Sequence, residues 1–298
     1  MDLAYLRAHP EHIPAFLTHQ RIRETPVSGG SICQTQRLTM DDGSSVLAKS
    51  LKTAPAGFFE SEAAALRWLG EAGAVAVPEV IAALPKMLVL EWIDPAAPSV
   101  AAAERFGREL AALHRSGAPS FGGSVPGFIG TLPLENAPSS GPWPQWFAEY
   151  RLEPYLRRSV DRAALATGDV AKLTKVLGDI TEYAGAAGAE PPARTHGDLW
   201  HGNLLWAADR IWLIDPAAHG GHRETDLALL GLFGGAPLLD RILGAYQEAW
   251  PLADGWRQRV PLHQLYLLLV HTALFGAGYR GAVLAAVDAV THPTSATS

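Results

Sequence analysis

Short apolar runs broken by turn-forming residues dominate the first ninety positions, a pattern that belongs to strands. Val27-Ser28-Gly29-Gly30-Ser31-Ile32 is a turn signal with strand-like flanks. Residues 32–38 and 45–51 are two such runs around Asp41-Asp42-Gly43, and Asp-Gly between runs of this kind is a strong hairpin cue. Residues 58–73 differ. Phe59, Ala63, Leu66 and Trp68/Leu69 fall near one face of a helix, and Gly73 sits where a helix should stop. Residues 78–83 and 87–93 are two further strands, and residues 1–25, which mix charge with histidine, are expected to form a leading helix.

The pattern changes after Ile93. Asp94-Pro95-Ala96-Ala97-Pro98 is a proline-marked linker, and beyond it the spacing turns helical. Phe106, Leu110 and Leu113 share a face, as do Trp146, Tyr150 and Leu156 with their neighbours. Residues 172–183, 226–233, 238–250 and 262–275 follow suit. Residues 117–144 form a Gly/Pro-rich insertion, and residues 291–298 are expected to fray. The expected architecture is therefore α+β and two-lobed. An N-terminal lobe over residues 1–93 carries a small antiparallel sheet and one key helix. A larger, mostly helical lobe over residues 94–298 follows, with a hinge at about residues 90–95.

Composition narrows the function. The 298 residues are 48% hydrophobic and 18% charged, enough apolar material for a sizeable core. The net charge of −6, without any lysine or arginine run, speaks against a nucleic-acid partner. The N-terminus lacks a basic region followed by an apolar core, and the late apolar stretch 265–279 is too short to span a bilayer, so the expectation is a cytoplasmic protein with no membrane partner. The single cysteine, Cys33, excludes an internal disulfide. Lysine is scarce, with Lys49, Lys52, Lys86, Lys172 and Lys175 the complete set, so a lysine inside an apolar strand stands out.

Candidate chemistry centres on His196-Gly197-Asp198-Leu199-Trp200-His201-Gly202-Asn203. Asp198 and Asn203 have the aspartate-to-asparagine spacing of a kinase catalytic loop. Phosphoryl transfer asks for positioned carboxylates, magnesium and charge neutralisation rather than covalent chemistry. Asp198 would orient the acceptor hydroxyl and take its proton. Asn203 would hold Mg2+ through its amide oxygen, beside Asp215 at the end of the apolar run Trp212-Leu213-Ile214. Lys49 lies mid-strand in Val46-Leu47-Ala48-Lys49-Ser50-Leu51 and needs a partner there. Glu62 on the following helix is the natural one, with Glu60 the alternative on a different face. The pair would hold the α- and β-phosphates of ATP; the competing view is an edge-strand lysine and a solvated glutamate. Gly30 and Ser31 could cradle phosphate through backbone N–H groups, and the stretch Leu90, Glu91, Trp92 and Ile93, joining the lobes, could meet adenine.

With these residues in view, the chain resembles the fructosamine kinase (ketosamine-3-kinase) family, within the aminoglycoside-phosphotransferase and protein-kinase-like superfamily. The matching blocks include Phe58-Phe59-Glu60-Ser61-Glu62-Ala63, Phe128-Ile129-Gly130-Thr131-Leu132-Pro133, Arg151-Leu152-Glu153-Pro154, His196-Gly197-Asp198-Leu199-Trp200 and Gly221-His222-Arg223-Glu224-Thr225-Asp226. The resemblance implies a protein-kinase-like fold and ATP-dependent phosphorylation of the sugar 3-hydroxyl of a ketosamine, a small molecule or a glycated lysine, with monomer as the favoured state. By position it implies Asp198 as base, Asn203 and Asp215 as metal ligands, and Lys49 with Glu62 as the phosphate-positioning pair. Trp200 would wall the sugar, and His219 would lie near the acceptor. His196 and Asp226 would support the catalytic loop, and Arg223 and Glu224 would either share that task or touch substrate. His201 and Ala218-His219-Gly220 depart from the family pattern, and Cys33 is expected to be a buried, inert thiol. The rivals are an aminoglycoside phosphotransferase and an inactive nucleotide-binding module. Residues 117–144 hold one acidic residue, Glu135, few for a polycationic acceptor, and no catalytic residue is missing.

Overall fold

The computed structural model describes residues 3–18, 23–27, 32–123 and 127–293. Helices α1 (Leu3–Ala8) and α2 (Ile13–Thr18) open it, separated by a 3-10 turn at Pro10–His12. The expected single leading helix is thus two, because Pro10 withholds the N–H a continuous helix would need. The chain then enters strands β1 (Arg23–Pro26), β2 (Gln34–Thr39) and β3 (Ser45–Ser50), helix α3 (Phe58–Glu71), and strands β4 (Val80–Leu84) and β5 (Met87–Glu91). The five strands form one antiparallel sheet in the order β1-β2-β3-β5-β4.

The β2–β3 turn follows its sequence. Gly43 takes φ 84, and Asp42 Oδ1 accepts the Ser44 N–H at 2.9 Å. Alternation along β3 sends Val46 and Ala48 to one face, packed with Leu6, Ile13 and Leu38. Leu47 faces α3 with Leu88 and Leu90 of β5, and Lys49 shares its side of the strand. Helix α3 buries Phe58, Phe59, Ala63, Leu66 and Leu69 along one stripe, which clamps it against the sheet and fixes where Glu62 stands.

Beyond residues 92–99 comes α4 (Val100–Arg115), N-capped by Ser99, whose Oγ accepts the Ala102 N–H at 3.2 Å. The Gly/Pro-rich stretch is more structured than its composition suggests. It holds a hairpin, β6 (Gly127–Ile129) with β7 (Leu132–Leu134), and bridges pairing Phe121 with Ser139 and Gly122 with Gly220. Helices α5 (Trp143–Phe147) and α6 (Glu153–Asp161) follow, joined by a π-helical turn at Ala148–Leu152. After them come α7 (Thr167–Gly178), α8 (Ile180–Ala184) and short strands β8 (Ala193–Thr195), β9 (Leu204–Trp206), β10 (Ile211–Leu213) and β11 (His219–Gly221). β9 pairs with β10 and β8 with β11, so two ribbons bracket the 196–203 and 214–218 segments.

Helices α9 (Arg223–Leu229), α10 (Leu239–Ala249), α11 (Trp256–Phe275) and α12 (Arg280–Thr291) complete the chain. Three differ from the pattern-based expectation. α9 ends at Leu229, short of Phe233, which takes a left-handed φ of 54. α11 begins six residues before Leu262 and runs through Pro261; burial of Trp256 and pairing of Arg259 anchor that first stretch. α12 was not expected, because its buried Val283, Ala286, Val287 and Val290 form a stripe of small residues. Among the described residues no helix is long and apolar enough to cross a membrane.

Candidate active site

A cleft of about 840 Å³ lies between the sheet and the helical part, lined by Lys49, Glu62, Asp198, Asn203 and Asp215 among others. Each arrives from a different element. Lys49 comes from β3, Glu62 from α3, Asp198 and Asn203 from the turn after β8, and Asp215 from the turn after β10. Lys49 Nζ donates to Glu62 Oε1 at 2.7 Å and to Asp215 Oδ1 at 2.6 Å. Burial alone would lower the Lys49 pKa, but the two carboxylates more than reverse this and raise it. The Glu62 carboxyl is pushed up by burial, with Lys49 opposing. Asp215 holds its place with a left-handed φ of 54, a conformation that costs a non-glycine residue about 1 kcal/mol or more and that the paired ribbons enforce.

The 196–203 turn is braced from behind. Asp226, completely buried, accepts the His196 N–H through Oδ2 at 2.7 Å and the Gly197 N–H through Oδ1 at 2.9 Å. His114 Nε2 lies 3.2 Å from the same Oδ2, and its Nδ1 is 2.9 Å from the Tyr246 hydroxyl. Burial would raise the Asp226 pKa, yet these contacts hold it below the usual range. The His196 ring bonds the Ile214 carbonyl at 2.9 Å and accepts the Asp198 N–H at 3.2 Å, tying the two active-site turns together. Gly197 has φ 80, and a Cβ there would meet the Ala217 carbonyl oxygen at 2.2 Å.

Asn203 Nδ2 donates to the Asp198 carbonyl at 2.7 Å and to Asp198 Oδ2 at 3.1 Å. This leaves the Asn203 amide oxygen without a partner among the described residues. Asp198 Oδ1 is buried and likewise has no hydrogen-bond partner among the described residues. Burial pushes the Asp198 carboxyl well above the usual range, against the Asn203 bond. An unmatched buried acceptor at the floor of a cleft is costly unless a ligand donates to it. The Trp200 ring lies over Gly202, where a Cβ would sit 2.3 Å from it.

Several other predicted residues stand elsewhere. Gly30 and Ser31 lie outside the described residues. Glu91, Trp92 and Ile93 line the cleft, whereas Leu90 is buried in the sheet. The Glu91 N–H is already donated to the Glu79 carbonyl at 2.9 Å, so at most its carbonyl is available to a ligand. Arg223 and Glu224 do not line the cleft. Arg223 pairs with Glu190 at 2.7 and 2.9 Å and stacks on Trp250 at 3.9 Å. Glu224 takes a two-pronged bond from Arg259 at 2.8 and 2.6 Å, so both are consumed in tying α9 to its neighbours. His219 is buried behind the cleft: Nδ1–H donates to the Ala217 carbonyl at 2.8 Å, which leaves Nε2 to accept from Arg151 Nε at 3.3 Å. Burial and the Arg151 charge lower its pKa to about 3. Cys33 is half-buried at the cleft, its thiol pKa raised by burial.

Metal-ligand atoms gather in more than one place among the described residues, including an exposed group of His9, Glu11 and His12. Asn203 and Asp215 offer hard oxygen donors, the set that suits Mg2+. His222, Glu224 and His263 also bring ligand-type atoms within 4.8 Å of one another. There, however, both His222 nitrogens bond the backbone, and Arg259 occupies both Glu224 oxygens.

Comparison with known proteins decides the lineage. The profile of the fructosamine kinase family matches residues 11–292. The chain belongs to the fructosamine kinase family. A solved Thermobifida fusca structure with a provisional fructosamine-3-kinase description is 47% identical and covers 94% of this chain and 98% of its own, with a TM-score of 0.86. A Thermus thermophilus protein with a provisional ketoamine kinase description is 36% identical over 89% of this chain and 92% of its own. The mouse ketosamine-3-kinase is 30% identical over 86% of this chain and 91% of its own. An aminoglycoside phosphotransferase solved with gentamicin, at 14% identity and a TM-score of 0.62 over 94% of this chain and 95% of its own, shares the fold alone. The fold is protein-kinase-like, and a fructosamine kinase family member with this cleft is a phosphotransferase. Sequence reasoning missed Arg151 and His114 behind the site, and Phe233, His271, Phe275 and Tyr279 along the cleft. The last three recur every fourth residue, but α11 ends at Phe275 and Tyr279 lies past Gly276 in the following 3-10 turn, so the spacing does not mark one helical face.

Proposed function

We propose that this protein transfers the γ-phosphoryl group of ATP to a sugar hydroxyl of a ketosamine, free or on a glycated lysine. The observation that carries this is the Asp198 carboxylate, whose buried Oδ1 has no donor among the described residues and whose side chain lines the cleft shared with Lys49, Asn203 and Asp215. The substrate hydroxyl donates to the Asp198 carboxylate and is thereby aimed for in-line attack on the γ-phosphorus, and Asp198 takes the proton as the bond to phosphorus forms and the bond to the ADP oxygen breaks. A base with a raised pKa suits this, since it holds the proton well once transferred. The Asn203 amide, bonded to both the backbone and side chain of Asp198, keeps that carboxylate from swinging away.

Lys49 meets the α- and β-phosphates, with Glu62 keeping its amine in place. Asn203 and Asp215 are the residues that would hold Mg2+, which neutralises phosphate charge when bound. Lys49 and Asp215 are in contact here, and with nucleotide and metal bound Lys49 would turn to phosphate and Asp215 would be a metal ligand. The connection near residues 90–95 is the proposed hinge between an ATP-binding lobe (1–93) and a catalytic lobe (94–298), with Glu91, Trp92 and Ile93 beside the adenine.

The test is a panel of fructosyl-lysine, ribulosyl-lysine, kanamycin and choline with Mg-ATP, read by transfer of labelled phosphate. Ketosamine phosphorylation is expected. Turnover of kanamycin or choline without either ketosamine would sink the assignment.

A further inference from the structure

The cleft continues past Trp200 into a set of rings with no role in phosphate transfer. Trp200 stands at 86° to Phe233 with centroids 5.7 Å apart, Phe233 lies 4.4 Å from His271, and Tyr279 lies 5.0 Å from His271. Phe275 joins from the side, 5.4 Å from His271 and 6.0 Å from Tyr279, and is 49% exposed. All five rings line the cleft that holds Asp198.

This wall is built rather than incidental. Phe233 occupies the left-handed region at φ 54, which a bulky residue adopts only under constraint. The constraint includes the catalytic turn itself: His201 Nε2 bonds the Phe233 carbonyl at 3.0 Å. His271, Phe275 and Tyr279 are brought together by the end of α11 and the 3-10 turn Ala277–Tyr279. The His271 Nδ1–H donates to the Leu267 carbonyl at 2.9 Å, leaving Nε2 as an acceptor.

Charge in the cleft is distributed unevenly. Lys49, Glu62, Glu91, Asp198 and Asp215, the ionisable lysine and carboxylate side chains lining it, belong to β3, α3, β5 and the two catalytic turns. The ring end contributes none. Ring faces at steep mutual angles attract an organic ammonium and the carbon attached to it, without help from a carboxylate.

We propose that Phe233, Phe275 and Tyr279, walled by Trp200 and His271, form the subsite for the amine-bearing half of the acceptor, taking an alkyl- or aryl-substituted ammonium. The proposal rests on the ketosamine reading and deepens it. The phosphate-transfer residues deal with the sugar hydroxyl, and the rings choose which amine the sugar is attached to.

Two acceptors that differ only in the substituent test it: N-benzyl-1-amino-1-deoxyfructose and 1-amino-1-deoxyfructose itself. The wild type is expected to favour the benzyl compound in kcat/KM by about tenfold. Phe275→Ala and Tyr279→Ala should each shrink that ratio about three- to tenfold, the scale of one cation–π or ring contact. The change should fall on KM for the benzyl compound, with KM for ATP unchanged. A wild type without preference, or a ratio unmoved in both variants, would overturn the subsite while leaving the ketosamine reading intact. Turnover of neither acceptor, beside turnover of another alcohol, would overturn both.

Discussion

Asp226→Asn removes one oxygen from a fully buried carboxylate and puts an NH2 group in its place. The carboxylate serves two backbone N–H groups, at 2.7 and 2.9 Å, and lies 3.2 Å from His114 Nε2. Asparagine has one acceptor oxygen, so either the His196 or the Gly197 N–H faces another donor. Each charge-assisted bond is worth about 1.5–3 kcal/mol, and a buried donor left unmatched costs about 1–3 kcal/mol. These terms overlap, and the one-sided breaking of a buried pair sets their combined scale at about 3–5 kcal/mol. For a chain of this size that corresponds to a melting point lower by roughly 5–8 °C. The displaced backbone leads directly to Asp198, and misplacement by about 1 Å costs on the order of 100-fold in rate. Thermal denaturation by circular dichroism, run beside single-turnover phosphate transfer, measures both. A melting point within 2 °C of wild type together with kcat within a factor of two would refute the bracing role of Asp226.

Three further outcomes are expected. Burial lowers the His219 and His222 pKa values to about 3 and about 4, against about 6.5 when unfolded, so the unfolded state binds more protons as pH falls. Stability is therefore full above pH 6.5 and drops as pH falls below it, by about 2 kcal/mol per histidine at pH 5. Urea midpoints at pH 7 and pH 5 check this, and a higher midpoint at pH 5 would contradict it. Gly202→Ala forces the Trp200 ring aside; KM for the sugar acceptor should rise about tenfold while KM for ATP stays within twofold, and equal changes in both would speak against Trp200 as an acceptor wall. Gly107→Ala drives a methyl to 2.3 Å from the Ile242 carbonyl oxygen where α4 crosses α10, a contact between backbones that neither can relieve alone. It should cost about 1–3 kcal/mol or more in urea denaturation with KM values unchanged.

What the sequence made legible was what is local or what is forced. The β2–β3 hairpin follows from Asp-Gly between apolar runs, and α3 follows from a stripe that includes Phe59, Ala63, Leu66 and Leu69. Lys49 with Glu62 follows from the need of a charge in an apolar strand for a partner one helix away. The Lys49–Asp215 contact is a different matter, since 166 residues separate the two and only the closed fold supplies the distance. Arg223 and Glu224 carry the same ambiguity in sequence: a charged block reads alike whether it faces a ligand or buries itself against Glu190 and Arg259. The expected helix began at Leu262, yet α11 starts at Trp256 and passes through Pro261, because tertiary anchoring by Trp256 and Arg259 outweighs a local cost. The ring wall was hidden because its five rings come from separate stretches of chain, Trp200, Phe233 and the set His271, Phe275 and Tyr279, of which one is a histidine and one lies beyond a glycine turn.

The most direct test concerns Asp198 Oδ1. Asp198→Asn keeps the shape and removes the base, and Oδ1 makes no hydrogen bond among the described residues that the change would break. With fructosyl-lysine and Mg-ATP, phosphate transfer should fall at least about 1000-fold, while the melting point stays within a few degrees and KM for ATP is unchanged. Transfer at the wild-type rate in Asp198→Asn would contradict the assignment of this cleft as the catalytic centre.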